Sequence, residues 1–264
     1  MKSDIQSSIE HISKKDFVKI SGDIKSPFMQ YSFLHALEKS KSASLDSGWE
    51  PCHLTKEQEG ELVGFIPMYK KYNSGGEFVF DHSWAHALEQ AGRKYYPKLL
   101  TAIPFTPCKG ERIIGDNKTI KNKLINDVKD YMQVENIESW HILFPDSETS
   151  LLLKEHDLIE RYGCRFTWNN RGFKSFSDFL NIFTARQRKT IKAERKKVAD
   201  AKVSFKIIEN EDISSNDWDI FYKLYCQTYV DRWQRPYLER EFFNQITKES
   251  KSSKPILFFA IQNE

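Results

Sequence analysis

Short apolar, β-rich runs separated by helix-length segments recur along the first two thirds of this 264-residue chain, and that alternation restricts it to layered α/β architectures. Residues 27–40 read as a helix entered through Pro27, with Phe28, Phe33, Leu34 and Leu37 on one approximate face. Residues 49–56 and 62–72 form two β-like runs around Gly60, a hairpin pattern, and 77–81 adds a short strand. A helix over 85–92 precedes a buried-strand candidate at 99–105. Ile120, Leu124, Val128 and Tyr131 then fall on one helical face. A strand at 139–144 and a helix at 151–162, closed by Gly163 in the C′ position, complete the series. The expected fold class is α/β, an α+β arrangement with mixed sheets.

Gly163 and a strand expected at 164–169 mark the passage to a second unit, so the chain divides into 1–164 and 165–264. After a short helix at 176–180, Thr184 and Gln187 have capping-box spacing, which starts a helix near Ala185. Between Arg186 and Lys197 this helix sets seven cations against Glu194 alone, a local charge of +6 in a protein whose net charge is +3. Its apolar stripe is thin, only Ala185, Ile191 and Val198. Two readings stand: a solvated face, or a helix that recruits anions through a focused field. A strand at 203–208, a helix at 217–229, a helix after Pro236 and an apolar strand at 255–262 follow. Ending on that strand leaves a sheet edge without cover. The expectation is therefore a fragment of a longer chain, with hydrophobic surface exposed around Leu257 and Phe259.

Composition narrows the class. With 39% hydrophobic and 14% aromatic residues the chain can bury one large core or two ordinary ones. The first ten residues lack the apolar stretch of a secretion signal, and no segment nears the roughly 18 apolar residues of a spanning helix. These features predict a cytoplasmic protein with no membrane span. Cys52, Cys108, Cys164 and Cys226 are too scattered for a zinc site or a disulfide framework. A pI near 8.5 with mixed charges is not that of a general DNA binder.

Several blocks carry a family resemblance: VFDHSWA at 79–85, GRKYYPKL at 92–99, PFTPCKGER at 104–112, WNNRGFKSF at 168–176, the basic run at 186–196, and YLEREFF at 237–243. In this order, across most of the chain, they resemble the FemAB-like proteins of peptidoglycan biosynthesis or recognition, a branch of the GNAT acyltransferase superfamily. The resemblance implies two GNAT-like units, the second incomplete here because family members continue further. It also implies a His-x-x-Asn pattern before the basic helix, where this chain has Thr167 beside Trp168. The implied chemistry is acyl transfer to an amine, which needs a held donor carbonyl and a route for the amine proton rather than a covalent triad. Consistent with that, no nucleophile elbow, P-loop, dinucleotide fingerprint or metalloprotease motif occurs.

The candidate binding residues are Lys109, Gly110 and Arg112, Trp168 and Asn169, and Arg186, Lys189 and Arg195. The turn at 106–112 either cradles a phosphate or is an ordinary Pro/Gly turn. Trp168 and Asn169 precede the basic helix, whose Arg186, Lys189 and, less closely, Arg195 fall toward one side. Asp81 with His82 offers either an acid–base pair or a strand-end hydrogen bond. Trp84, Tyr95 and Tyr96, like Tyr229, Trp233 and Tyr237, are stacking surfaces or core. No catalytic residue is assigned. The expected function is transfer of an aminoacyl or acyl group, from aminoacyl-tRNA or acyl-CoA, to an amine of a cell-wall precursor or related anionic acceptor. The alternative is a non-catalytic binder of peptidoglycan-like or other anionic ligands, or an inactive fragment.

Overall fold

A computed structural model describes residues 1–22, 24, 26–248 and 254–262. The chain separates into two compact units, one formed by 1–160 with 213–255 and the other by 161–212 with 256–264.

The first unit is built on two four-stranded sheets. One has the order β1 (Lys2–Gln6), β3 (His53–Gln58), β4 (Glu61–Ile66), β7 (Ile114–Gly115), all antiparallel. The other has the order β2 (Trp49–Pro51), β5 (Tyr69–Lys71), β6 (Lys98–Thr101), β8 (Trp140–Ile142), with β6 and β8 parallel. The expected hairpin is present but divided between the two sheets. Pro51 and Pro67 interrupt its arms at matching places, since proline cannot donate to a ladder. Across the gap, the Cys52 amide donates to the Met68 carbonyl at 2.9 Å and the Met68 amide to His53 Nδ1 at 3.1 Å.

Helix α4 (Lys118–Val134) covers one side through the predicted Ile120, Leu124 and Val128, with Tyr131 half-buried beside them. A bulge brings both Val63 and Gly64 of β4 to this side. The glycine is required there, because a Cβ would sit 2.8 Å from Leu124 Cδ1. The other core gathers Phe17 of α1 (Lys14–Ser21), Leu34 of α2 (Tyr31–Lys39), Phe65 and Ile114. Glu38 of α2 ties it inward, accepting from the Ile9 amide at 2.8 Å and pairing with buried His53 at 2.7 Å.

Helices α8 (Ser215–Val230) and α9 (Arg240–Lys248) pack on this unit. Phe242 meets Phe33 edge-on at 5.5 Å, and the Glu239 amide donates to Ser42 Oγ at 2.9 Å. Thus α8 and α9, which a cut at 164 leaves in the second unit, belong to the first.

Three expected elements differ. Residues 77–81 form no strand, and α3 (His82–Gln90) begins directly after them. The helix expected at 151–162 is α5 (Ser147–Lys154). Asp146 caps it by accepting from the Thr149 amide at 2.8 Å, and it closes on left-handed Asp157 with the Leu158 amide bonded to the Leu153 carbonyl at 3.2 Å. Asp157 therefore takes the C′ place assigned to Gly163, which an aspartate tolerates better than most residues. No strand forms at 164–169.

In the second unit, α6 (Phe176–Leu180) and α7 (Ala185–Asp200) lead into β9 (Ser204–Glu209), which pairs antiparallel with β10 (Ile256–Ile261). The capping box forms as read: Gln187 accepts from the Thr184 amide at 3.0 Å, and Thr184 Oγ1 accepts from the Gln187 amide. Hydrophobic surface is exposed around Leu257 and Phe259, but on the neighbouring residues rather than on Leu257 itself. Leu257 pairs with Ile208 and both are buried, whereas Ile256 and Phe258 share the opposite, exposed face with Ile207 and Phe205. The two-residue period of a strand puts neighbours on opposite faces.

Candidate functional site

The densest chemistry lies under the loop between β5 and β6. Lys98 opens β6 with its side chain fully buried, and its ammonium donates to Glu77 Oε2 at 2.8 Å, to Ser74 Oγ at 3.1 Å and to Asp81 Oδ2. Lys71 closes β5, also fully buried. Its ammonium donates to the Gly75 carbonyl at 3.1 Å and lies 3.9 Å from the centre of the Trp49 ring. Two cations and two carboxylates thus share one dry space, where charges persist only if they compensate one another. Burial raises the Glu77 carboxyl above its ordinary range against the pull of Lys98, and lowers Lys71 to about 7. Burial also pushes Asp81 upward, but hydrogen bonds from Lys98, Tyr95 and Ser74 outweigh it and bring the carboxyl down to about 2.

This clamp shapes the loop above it. Glu77 and Asp81 point inward while Phe78 and Phe80, on alternate positions, are exposed. Gly76 is left-handed with a φ of 76°, and a Cβ there would meet the Phe105 ring at 2.5 Å, so only glycine fits beneath that ring. Phe105 in turn stacks on Tyr237 at 4.9 Å, and Phe78 meets Tyr237 edge-on at 6.0 Å.

From the clamp a polar chain runs outward. The Tyr95 hydroxyl donates to Asp81 Oδ2 at 2.6 Å and lies 3.3 Å from Nε2 of half-buried His141 on β8. The His141 ring lies 6.3 Å from that of Trp84. A carboxylate, a phenol and an imidazole in sequence can hold or pass a proton. Nearby, Gly92, Arg93, Tyr96, Pro97, Asn136 and Glu138 line an open depression of about 280 Å³. Asp81 and His82 are not brought together as a pair: His82 is exposed at the start of α3, and the imidazole coupled to Asp81 is that of His141.

The turn at 106–112 is held by its own chain. Arg112 is 1% exposed, and its guanidinium donates to the carbonyls of Leu143 at 2.9 Å, Glu111 at 3.0 Å and Cys108 at 2.5 Å. Gly110 donates to the Phe144 carbonyl at 3.2 Å and accepts from the Asp146 amide at 3.0 Å. Both groups are engaged in hydrogen bonds within the fold. Lys109 is exposed.

In the second unit, Trp168 packs on Phe173 and Phe179 with its outer part exposed, beside exposed Asn169. Arg195 does not join Arg186 and Lys189, because its guanidinium lies 4.2 Å from the Phe176 ring. Arg186 and Lys189 are exposed on α7. No cluster of three or more metal-ligating side chains occurs among the described residues.

Sequence reading missed Lys71, Glu77, Lys98 and His141. The available signal was the pair of blocks at 79–85 and 92–99, which the fold joins through Asp81, Tyr95 and Lys98.

Comparison with solved structures finds similarity to FemX, with 15% identity and a TM-score of 0.45, over 98% of this chain and 57% of FemX. It also finds a ribosomal-protein-alanine N-acetyltransferase from Brucella melitensis biovar Abortus 2308, with 11% identity and a TM-score of 0.37, over 64% of this chain and 99% of that one. The aminoglycoside 6′-N-acetyltransferase AAC(6′)-IG from Acinetobacter haemolyticus aligns at 9% identity and a TM-score of 0.36, over 66% of this chain and 100% of that one. No curated protein matches. The profile of the FemAB-like family, described as peptidoglycan biosynthesis/recognition, matches residues 8–264, and the chain belongs to that family.

Proposed function

We propose that this protein is a transferase that moves an aminoacyl or acyl group to an amine of a cell-wall precursor. Membership of the FemAB-like family over residues 8–264 carries the reading. The donor is an aminoacyl-tRNA or an acyl-CoA, both cytoplasmic polyanions, and the reaction is placed in the cytoplasm. In the transfer, the amine nitrogen attacks the donor carbonyl carbon and a C–N bond forms. The C–O bond of the ester or C–S bond of the thioester breaks. The amine proton passes to a base and the leaving oxygen or sulfur takes one up.

The chain from Asp81 through Tyr95 to His141 supports His141 as that base, since the clamped carboxylate favours the imidazolium that forms. Arg186 and Lys189 supply exposed cations for the phosphates of donor or acceptor. A second reading is ligand recognition without turnover, which the family's description, biosynthesis/recognition, equally supports. Thermal-shift measurements with coenzyme A, charged tRNA and cell-wall precursors sort these ligands, because only one that binds the native state raises the melting temperature. A shift with neither donor, alongside a shift with precursor, speaks for recognition alone.

A further inference from the structure

Residues 161–200 carry eleven cations against three carboxylates, a net of +8, so the rest of a protein of net charge +3 carries −5. The fold makes this a surface rather than a run of letters. Phe173, Phe176, Phe179 and Phe183 pack ring on ring, Trp168 joins them through Phe173 and Phe179, and Arg195 ties α7 to the same group over Phe176. No residue of α7 is fully buried. The same segment also exposes large apolar side chains: Phe166 is 96% exposed, Trp168 65% and Ile182 52%.

We infer that this exposed basic, aromatic segment of the second unit adsorbs to the surface of an anionic lipid membrane. The field of the cations complements the negative headgroup layer, and each lysine or arginine near such a surface adds to adsorption. Tryptophan and phenylalanine in the same segment suit the headgroup boundary, where a ring can sit partly in the acyl region. RNA is the other polyanion such charge attracts. It gives no stacking partner to the aliphatic Ile182, however, whereas the lipid boundary receives aliphatic and aromatic groups alike. The adsorption involves no spanning segment, and no helix among the described residues is long and apolar enough to cross a membrane. It also stands apart from the transferase reading, because neither donor nor acceptor enters it.

The test uses the whole chain with vesicles of phosphatidylcholine alone and of phosphatidylcholine mixed with phosphatidylglycerol, containing no cell-wall precursor. The protein is expected to co-sediment with the anionic vesicles only, and to be released by molar salt. Replacing Lys192, Lys196 and Lys197 with Gln should weaken binding by about a hundredfold and flatten its salt dependence. Phe166→Ser with Ile182→Ser should weaken it roughly tenfold and leave the salt slope unchanged. All five side chains are exposed, so circular dichroism and melting temperature should match the parent. Equal binding to both vesicle types, no binding to either, or binding to duplex RNA in place of vesicles would each overturn the proposal. Loss of vesicle binding with amide transfer intact would remove this inference and leave the transferase reading standing.

Discussion

Lys98 is the residue on which the candidate site of the first unit depends. It is the shared partner of two buried carboxylates, each with one further oxygen, Glu77 Oε1 and Asp81 Oδ1, that finds no partner among the described residues. Lys98→Met should therefore destabilise the protein by about 3–5 kcal/mol in chemical denaturation, since it strands two charges in a dry space. Adding Glu77→Gln and Asp81→Asn should recover part of that loss. A loss below about 1 kcal/mol for Lys98→Met would mean that water reaches the clamp.

The same residues set a dependence on pH. Asp81 titrates near 2 against an ordinary 3.8, so its contribution is fully present above 3.8 and disappears as pH falls through 2. Lys71 titrates near 7 against an ordinary 10.5, so the folded state binds fewer protons than the unfolded one between those values and stability climbs with pH across that window. Denaturation midpoints measured over a pH series should show both limbs. Asp81→Asn should flatten the acidic one and Lys71→Met the alkaline one. Unchanged limbs in these variants would assign the dependence to other groups.

At the scale of elements, local signals were legible and non-local ones were not. The start of α7 was readable because Thr184 and Gln187 cap it from within one turn, and the face of α4 because Ile120, Leu124 and Val128 repeat with the helix. Thr184→Ala should cost about 1 kcal/mol, checked by denaturation of the intact chain. The hairpin was visible, but its division into two sheets turns on Pro51 and Pro67 acting together. The alternation at 77–81 was real yet belonged to a loop that buries two carboxylates. Its partners lie far along the chain: Lys98 is 17 residues from Asp81, and His141 is 46 from Tyr95, and no periodicity reports such pairings. The turn at 106–112 has the residues of a phosphate cradle, and sequence cannot show that the Arg112 guanidinium also donates to three carbonyls. Arg112→Met should accordingly lower stability by about 2–3 kcal/mol, and ligand binding per folded molecule should be unchanged. The opposite pattern would place Arg112 on the binding surface.

For the molecule as a whole, the family places the chain among proteins of peptidoglycan biosynthesis or recognition. The first unit holds a clamped acid–base chain, and the second concentrates its cations on one helix of a nearly neutral protein. Arg186→Gln with Lys189→Gln should weaken binding of a polyanionic donor about tenfold and reduce its salt dependence, read by titration at several ionic strengths. The most direct measurement is mass spectrometry of an amine-bearing cell-wall precursor after incubation with the protein and either an aminoacyl-tRNA or an acyl-CoA. The account predicts a gain of one acyl group, abolished by aminolysis-blocking acetylation of the precursor amine and strongly reduced by His141→Ala in a folded protein. A precursor that binds and gains no mass with either donor would contradict it.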